Sequence, residues 1–236
     1  TREAQDQLAY DSHHKAAAAY ARGFFDDLVV PFRDLSKDNI LRADTSLEKL
    51  ATLKPAFDKR SGKGTLTAGN STNLSDGASV ALLSSEQWAT EHNKEIQAYL
   101  VDAQVAAVDF VGGDGLLMAP AWAVAQLLQR NNLSLQDFDF YEIHEAFAAQ
   151  VLCTLKAWES AEFCKEKLGM DNALGSIDRS KLNVVGSSLA LGHPFAATGA
   201  RIVATAAKLL KEKGQGRVLI SICTAGGMGV AAIVER

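Results

Sequence analysis

The spacing of hydrophobic and polar positions predicts a helical start followed by a polar, irregular stretch. Residues 1–24 have the composition of one helix, with an alanine-rich stretch at Ala16–Ala19 and Gly23 as its stop. Residues 33–64 are polar and weakly periodic, which indicates a loop containing a short helix around Leu47–Leu53. Up to His92 the pattern also predicts a β-like run at Leu28–Phe32, an apolar stretch at Leu66–Ala68, a turn-rich segment at Gly69–Gly77 and helices at Ala78–Leu83 and Glu86–Glu91.

After His92 the pattern changes to alternating strands and helices. Three strand–helix pairs followed by two strands predict a layered α/β domain that closes with a hairpin. The predicted strands are Ile96–Val108, Phe138–Ile143, Val184–Gly186, Arg217–Cys223 and Val230–Val234. The predicted helices are Ala119–Asn131, Ala146–Trp158 and Phe195–Lys213.

Composition narrows the class of protein without naming a function. The chain has 236 residues, of which 47% are hydrophobic and 22% charged, as in ordinary globular proteins. A net charge of −4 provides no basic surface for nucleic acid, and no apolar run approaches the roughly 18 residues of a transmembrane segment. Three cysteines at unrelated spacings argue against a disulfide framework and against a zinc or other metal site. A reducing compartment is the natural expectation.

The first residues resemble the start of a helix and not a signal peptide. Thr1 is a suitable cap, and Glu3 suits the positive end of the helix dipole. Because the chain opens at a helix cap and without Met, we expect it to begin within a longer protein.

Three polar or glycine-rich turns follow predicted strands. His144 and Glu145 end one strand, His193 lies in the turn Gly186–Gly199, and Cys223 ends a strand before a glycine-rich turn. Ligands bind at the carboxyl edge of α/β sheets, so we expect these side chains to converge there. Each alone has a structural explanation, but a thiol with two imidazoles suits thiolate activation and proton transfer.

The other cysteines and histidines have structural explanations. No glycine-rich turn accompanies Cys153 or Cys164, so we interpret both as ordinary helix residues. The histidines expected to be solvated are His13, His14 and His92.

Four ordered motifs give the chain a close resemblance to the thiolase family. They cover most of the chain and are far more specific than a single glycine pattern. In order they are Thr67-Ala-Gly-Asn-Ser-Thr-Asn-Leu-Ser-Asp-Gly77, His144-Glu-Ala-Phe-Ala148, Gly192-His-Pro-x-x-x-x-Gly-x-Arg201 and Cys223-x-x-Gly-Gly-x-Gly229.

Two positions make the chain similar to one branch of this family. Many thiolases have Asn where this chain has His144, and Gly where it has Ala225. Both features resemble the long-chain 3-ketoacyl-CoA thiolases that form the β-subunits of trifunctional fatty-acid oxidation complexes, and their bacterial counterparts.

The resemblance implies a layered α/β thiolase fold, in which two βαβαβαββ halves pack together and a loop domain is inserted in the first. Residues 1–64 then correspond to the remainder of the loop domain, which binds coenzyme A. Residues 65–92 correspond to the end of the N-terminal domain, and residues 93–236 to the C-terminal domain.

Thiolases also carry an acyl-accepting cysteine in the N-terminal half, and nothing here matches its surroundings. Neither Cys153 nor Cys164 has the required small neighbours. We therefore expect the nucleophile to lie outside this chain, and the chain alone to be inactive.

The implied reaction is thiolysis of a 3-ketoacyl-CoA to acetyl-CoA and a shortened acyl-CoA, as in fatty-acid β-oxidation. By resemblance Cys223 is the acid/base thiol, His193 activates the nucleophile, and His144 contributes to the oxyanion hole for the enolate. Backbone N–H groups of Ala225 and Gly226 are candidates for the second oxyanion hole.

Coenzyme A is a substrate in this interpretation, and no cofactor is implied. Its adenine end is expected near Arg42 and Phe57, and its pantetheine near Ala68 and Thr72. Phe57 is equally well explained as an aromatic anchor of the loop, and Arg42 as a solvated surface charge.

Alternatives stay open at this point. An acetoacetyl-CoA or sterol-side-chain thiolase would differ only in the acyl pocket. A ketosynthase shares the fold but lacks the C-terminal cysteine motif, so Cys223 opposes it. A non-catalytic lipid-binding or assembly module is favoured by the missing nucleophile and opposed by the intact Cys223, His193 and His144.

The resemblance also implies partners and a location. We expect a homodimer or a dimer of dimers, with a hydratase/dehydrogenase α-subunit as the partner of this branch. The terminal Val-Glu-Arg is not a peroxisomal signal, which leaves the bacterial cytoplasm or the mitochondrial matrix.

Overall fold

A computed structural model describes all residues, 1–236, and contains a mixed sheet with helices on both faces. Before the sheet the chain forms α1 (Arg2–Ala21), α2 (Leu47–Ala51) and α3 (Glu86–Glu91). The four strands are β1 (Tyr99–Ala107), β2 (Phe140–Ile143), β3 (Arg217–Thr224) and β4 (Met228–Glu235). The remaining helices are α4 (Pro120–Asn131), α5 (Ala148–Glu159), α6 (Ala161–Leu168), α7 (Ser188–Leu191) and α8 (Thr198–Lys213), with a short 3₁₀ turn at Arg179–Lys181.

The sheet has the strand order β1–β4–β3–β2. Strand β3 pairs parallel to β2 and antiparallel to β4, and β4 pairs antiparallel to β1. The α/β fold and the closing hairpin predicted from the sequence are therefore confirmed.

Alternating side chains of β3 build a core on each face of the sheet. Leu219 packs in the cluster that holds Val124 and Leu127 of α4, whereas Val218 and Ile220 pack in the cluster of α8. This period of two follows from the geometry of a strand. Because both faces are covered, β3 is apolar along most of its length, as the sequence shows.

Helix α1 lies across the loops that carry the candidate site. The Thr1 side chain caps it by accepting from the Ala4 N–H at 3.3 Å, as predicted. Its buried face packs against α7, α2 and α5. The polar first part of the chain is thus attached to the sheet through one long helix.

Segment 184–186 is not a strand, which corrects the sequence-based prediction. Its backbone forms a turn, with Asn183 at φ 45° and Gly186 at φ 76°. The Asn183 side-chain amide accepts from the Ile143 N–H at 2.8 Å and donates to the Ile143 carbonyl at 2.9 Å. A side chain therefore satisfies backbone groups that a fifth strand would have bonded. Only Leu182 forms a bridge to β2, opposite Tyr141.

Two other short predictions were wrong. Residues 78–83 form neither a helix nor a strand. A helix this short is stable only when packing supports it, and the apolar side chains of Val80, Leu82 and Leu83 are exposed. Segment 28–32 is not a strand, and only Phe32 makes a bridge, to Leu35.

Several helix boundaries also differ from the predictions. Helix α5 begins at Ala148, because Phe147 is extended and pairs with Ser71. Helix α8 begins at Thr198, since residues 195–197 form a turn. Helices α6 and α7 have no counterpart among the predicted elements.

Candidate active site

The parallel strands β2 and β3 end at the same edge of the sheet. His144 directly follows β2, and its N–H donates to the Ser221 carbonyl of β3 at 2.8 Å. Cys223 lies two residues beyond Ser221, near the end of β3. The sheet therefore brings His144 and Cys223 to its carboxyl edge, as predicted from the sequence.

His193 joins this edge from the loop between α7 and α8. The centroids of the His144 and His193 rings are 4.1 Å apart. The His193 backbone bridges to Leu74, and its N–H donates to Ser75 Oγ at 3.4 Å. The turn before it requires Gly192, whose φ of 86° is unfavourable for other residues. The two histidines thus form a contacting pair.

The Nδ1 atom of each histidine contacts a hydroxyl group. His144 Nδ1 is 2.7 Å from Ser188 Oγ, and His193 Nδ1 is 2.7 Å from Thr198 Oγ1. Arg201 Nη2 donates to Ser188 Oγ at 2.8 Å. His144 Nε2 is buried without a hydrogen-bond partner. Each imidazole is therefore oriented through Nδ1, which leaves Nε2 for a ligand.

Burial keeps all three predicted catalytic groups uncharged at neutral pH. Burial raises the pKa of the Cys223 thiol to about 12, although the backbone groups of Cys223 and Ala146 oppose the shift. Burial, together with His193 and Arg201, lowers the pKa of His144 well below its usual value. Burial and Arg201 also lower the pKa of His193. The same edge of the sheet therefore holds one protonated thiol and two neutral imidazoles.

The turn after Cys223 contains the two residues predicted to form the second oxyanion hole, Ala225 and Gly226. Thr224 pairs with Met228, and the exposed Ala225 and Gly226 lie in the turn between them. Gly226 and Gly227 have φ values of 81° and 73°. Ala225 is not among the residues with positive φ, so alanine is accommodated at this position without backbone strain.

Two of the predicted coenzyme A residues adjoin the segment that follows His144. Phe57 is 58% exposed and packs edge-to-face on Phe147, with ring centroids 5.5 Å apart. Thr72 donates its N–H and its hydroxyl to the Ala146 carbonyl, at 3.0 and 3.1 Å. The loop that contains Phe57 and the Thr67–Gly77 motif therefore reach the candidate site.

The other two predicted coenzyme A residues lie apart from these contacts. Ala68 is exposed in a turn. The Arg42 guanidinium donates to the carbonyls of Asn39, Ile40 and Leu41, so it closes its own loop. The structure gives Arg42 a local structural role, and its contact with coenzyme A stays a prediction.

A buried carboxylate network behind the histidines was missed by the sequence analysis. Glu145 accepts from the Ser12 hydroxyl at 2.7 Å, the Asn183 amide at 2.7 Å and the Leu189 N–H at 3.2 Å. The sequence analysis placed Glu145 beside His144 at the end of a strand, but nothing local indicated its hydrogen-bond partners. Asn183 and Ser188 carried no local signal, because they lie in a turn and a short helix that the pattern did not predict.

Neither Cys153 nor Cys164 forms a hydrogen bond with His144, His193 or Cys223. Cys153 is exposed on α5. Cys164 is buried, and its thiol lies 3.6 Å from the carbonyls of Ala157 and Trp158. Both are helix residues, in agreement with the structural explanation.

The expectation that His13 is solvated was wrong. His13 is 6% exposed, and its Nδ1 accepts from the Arg42 N–H at 3.2 Å. Burial, followed by the charge of Arg42, lowers the pKa of His13 to about 4. His14 is partly buried beside Tyr10, whereas His92 is exposed as expected.

A large cavity lies elsewhere, between α1 and the α5–α6 pair. Its volume is about 820 Å³, and its lining includes Leu8, Lys15, Cys153, Phe163 and Glu145. It includes none of Cys223, His144 and His193. No cluster of three or more potential metal-binding side chains is present. None of the helices combines the length and apolar character needed to cross a membrane.

Comparison with known protein families gives a match for both parts of the chain. Residues 1–87 match the family described as the thiolase N-terminal domain, and residues 94–236 match the thiolase C-terminal domain. The division of residues 1–92 into a loop domain and an N-terminal domain end stays a prediction.

Individual relatives agree with these matches. Proteins named 3-ketoacyl-CoA thiolase from Serratia proteamaculans and Shewanella baltica are 44% and 43% identical to this chain over its whole length. The chain covers 54% of each, so it spans about half the length of the curated relatives it matches. A crystal structure titled as the Bacillus anthracis acetyl-CoA acetyltransferase superposes with a TM-score of 0.81 at 40% identity, over all of this chain and 56% of that one.

Proposed function

Because this chain belongs to the thiolase family, we propose that it provides the proton-handling part of a 3-ketoacyl-CoA thiolase. The observation that carries the proposal is the convergence of the buried Cys223 thiol and the His144–His193 pair at one edge of the sheet. The acyl-accepting cysteine is supplied by protein outside residues 1–236. The curated relatives named 3-ketoacyl-CoA thiolase are nearly twice as long, which supports this division.

The first half of the proposed reaction transfers an acyl group to the nucleophilic cysteine. His193 accepts the proton of that thiol through Nε2, and the thiolate attacks the C3 carbonyl of the 3-ketoacyl-CoA. The C2–C3 bond then breaks, which leaves an acyl-enzyme and the enolate of acetyl-CoA. Cys223 donates its proton to the enolate carbon, and acetyl-CoA leaves. A pKa of about 12 keeps Cys223 protonated until this step.

The second half returns the acyl group to coenzyme A. The Cys223 thiolate accepts the proton of the incoming coenzyme A thiol. The resulting thiolate attacks the acyl-enzyme, the shortened acyl-CoA forms, and the nucleophilic cysteine leaves as a thiolate that takes back the proton held by His193. His144 donates to the enolate oxygen, and the N–H groups of Ala225 and Gly226 to the other oxyanion. A donor of this kind contributes about 2.7–4 kcal/mol to transition-state stabilisation.

Coenzyme A is a substrate in this scheme, and the scheme requires no further cofactor. Its adenine end lies against the exposed Phe57 and near Arg42, and its pantetheine passes Ala68 and Thr72. The contacts of Phe57 with Phe147 and of Thr72 with Ala146 support this route, because they connect the loop to the segment after His144.

The proposed assembly is that of the long-chain 3-ketoacyl-CoA thiolases, the branch of the family that the chain resembles. The enzyme is a homodimer or a dimer of dimers with a hydratase/dehydrogenase α-subunit as its partner, and it acts in fatty-acid β-oxidation. Its location is the bacterial cytoplasm or the mitochondrial matrix. The bacterial origin of the relatives supports the first of these.

Replacement of the Cys223 thiol tests the proposed mechanism in the intact enzyme. Cys223→Ser is expected to abolish steady-state thiolysis, because a hydroxyl is far less acidic than a thiol and cannot shuttle the proton. Acylation of the nucleophilic cysteine should persist, and trapping of the acyl-enzyme by mass spectrometry measures it. Cys153→Ser, on the exposed face of α5, is the matched control and should retain turnover. Normal thiolysis by Cys223→Ser would disprove the acid/base role.

A short-chain thiolase is the second candidate, favoured by the similarity to an acetyl-CoA acetyltransferase structure. The two candidates share their chemistry and differ in the acyl pocket. We expect a higher kcat/KM for 3-ketopalmitoyl-CoA than for acetoacetyl-CoA. The reverse preference would replace the long-chain assignment with the short-chain one, and no turnover of either substrate would favour a non-catalytic module.

A further inference from the structure

We infer that Ser188 and Thr198 hold the neighbouring imidazoles of His144 and His193 in opposite tautomers. In His144 the proton lies on Nε2, which then donates a hydrogen bond. In His193 the proton lies on Nδ1, which leaves Nε2 as a base. The tautomers themselves are inferred from the hydrogen-bond partners of the two hydroxyl groups. Their role in the reaction rests on the proposed function.

The tautomer of His144 follows from the partners of Ser188. Arg201 has only donors, and its Nη2 donates to Ser188 Oγ at 2.8 Å. The only other hydrogen-bond partner of Ser188 Oγ is His144 Nδ1, at 2.7 Å. The fully buried Ser188 hydroxyl must therefore donate to His144 Nδ1, or its hydrogen would have no acceptor. His144 then carries its own proton on Nε2.

The partners of Thr198 differ in one respect. Its hydroxyl lies 3.1 Å from the Pro194 carbonyl, one turn earlier, and donates to it. Thr198 Oγ1 is then free to accept from His193 Nδ1, 2.7 Å away. Ser188 has no such carbonyl, which is why two similar hydroxyl groups impose opposite tautomers.

The opposite tautomers give the two histidines different roles in the proposed site, one as a hydrogen-bond donor and the other as a base. The Nε2 of His144 is buried without a partner, so its N–H is available to an enolate oxygen. The Nε2 lone pair of His193 is available to a thiol proton. Ser188, Thr198 and Arg201 are then positioning residues, since they act through the histidines.

Nitrogen-15 NMR of the histidine side chains tests the inference directly in the intact enzyme. The expected spectrum has a pyrrole-type Nε2 and a pyridine-type Nδ1 for His144, and the reverse for His193. His144→Asn and His193→Asn assign the signals by removing them. A pyrrole-type Nδ1 on His144, or a pyrrole-type Nε2 on His193, would overturn the inference.

Substitution of the hydroxyl groups adds a functional measurement. Thr198→Val should move the His193 proton to Nε2 and lower kcat. Thr198→Ser retains the hydroxyl, so it should keep the proton on Nδ1 and kcat near the parent value. Ser188→Ala should lower kcat roughly 10- to 100-fold with little change in KM, by analogy with removal of groups that orient ligating histidines. Ser187→Ala is the matched control, because the neighbouring Ser187 hydroxyl is buried without a partner. Unchanged kcat in Ser188→Ala and Thr198→Val would overturn the positioning roles.

The two proposals fail in distinguishable ways. The NMR spectrum needs no turnover, so the expected tautomers without thiolysis would reject the proposed function and leave the inference intact. Thiolysis with the wrong tautomers would reject the inference alone.

Discussion

At the scale of single residues, burial changes the protonation of histidines outside the candidate site as well as within it. His13 of α1 is buried, and its Nδ1 accepts from the backbone of the loop that contains Arg42. A charged imidazole here would lose its hydration and face the Arg42 charge, so the neutral form is favoured. His13 is therefore a neutral acceptor that attaches the polar loop to α1.

This burial predicts a pH dependence of stability. The folded-state pKa of His13 is about 4, below the ordinary 6.5. Between these values the unfolded chain binds a proton that the folded protein does not, so the free energy of unfolding falls as pH falls through this window. The contribution is at most about 3 kcal/mol.

His13→Asn measures that contribution, because an asparagine oxygen replaces the Nδ1 acceptor and cannot be protonated. We expect urea unfolding to show a shallower dependence on pH in the variant than in the parent protein. Parallel pH profiles would contradict the assignment of this dependence to His13.

At the scale of elements, the β3–β4 hairpin shows how a turn holds the end of the strand that contains Cys223. Gly226 and Gly227 both have positive φ, at 81° and 73°. They differ in their surroundings. A Cβ on Gly227 would lie 2.7 Å from the Val108 carbonyl oxygen, whereas a Cβ on Gly226 would meet nothing closer than 4.0 Å. The Gly227 carbonyl also accepts from the Val108 N–H at 2.8 Å, which fixes the turn against the end of β1.

The two glycines form a matched pair for substitution. Gly226→Ala should lower the free energy of unfolding by about 1–2 kcal/mol, the cost of a left-handed conformation. Gly227→Ala should cost more, because the backbone must also move away from Val108. Chemical denaturation of both variants compares the two costs, and equal losses would show that close approach to β1 is unimportant.

At the scale of the whole molecule, Glu145 connects parts of the chain that are distant in sequence. Its carboxylate accepts from Ser12 of α1, from Asn183 beside β2, and from the N–H of Leu189 in α7. Ser12 Oγ in turn accepts from the Ser187 N–H at 3.1 Å. Burial raises the pKa of Glu145, and the hydrogen bonds oppose that shift. One buried acidic group therefore joins the first helix to the loops of the candidate site.

Glu145→Gln should destabilise the protein, because an amide NH₂ would face one of the present donors. The expected loss is about 1–3 kcal/mol for each donor left without an acceptor. Glu142→Gln is the matched control. Both Glu142 carboxyl oxygens lack hydrogen-bond partners, and burial raises the pKa of Glu142 to about 8 despite Arg201. Glutamine closely resembles the protonated acid, so thermal unfolding at neutral pH should separate the two variants. Equal destabilisation would contradict this role of Glu145.

The sequence by itself determined the long elements and the residues at the edge of the sheet. Helix α1 follows from its composition and its cap, and helices α4 and α8 and strands β2 and β3 follow from apolar segments bounded by turn residues. His144 and Cys223 were identified because each comes at the end of a strand, and strand ends meet at one edge. His193 was identified from its glycine-rich turn, although the strand predicted before that turn is absent.

Only the tertiary structure decided the short elements and the environment of each side chain. Segment 184–186 is a turn because the Asn183 amide occupies the edge of β2, and segment 78–83 is not helical because its large apolar side chains are exposed. The burial of His13 and the hydroxyl partners of His144 and His193 depend on residues far away or in unpredicted turns. A local sequence pattern does not predict contacts between residues that are distant in the chain. The sequence therefore determined which residues reach the edge of the sheet, and long-range packing determined the protonation they have there.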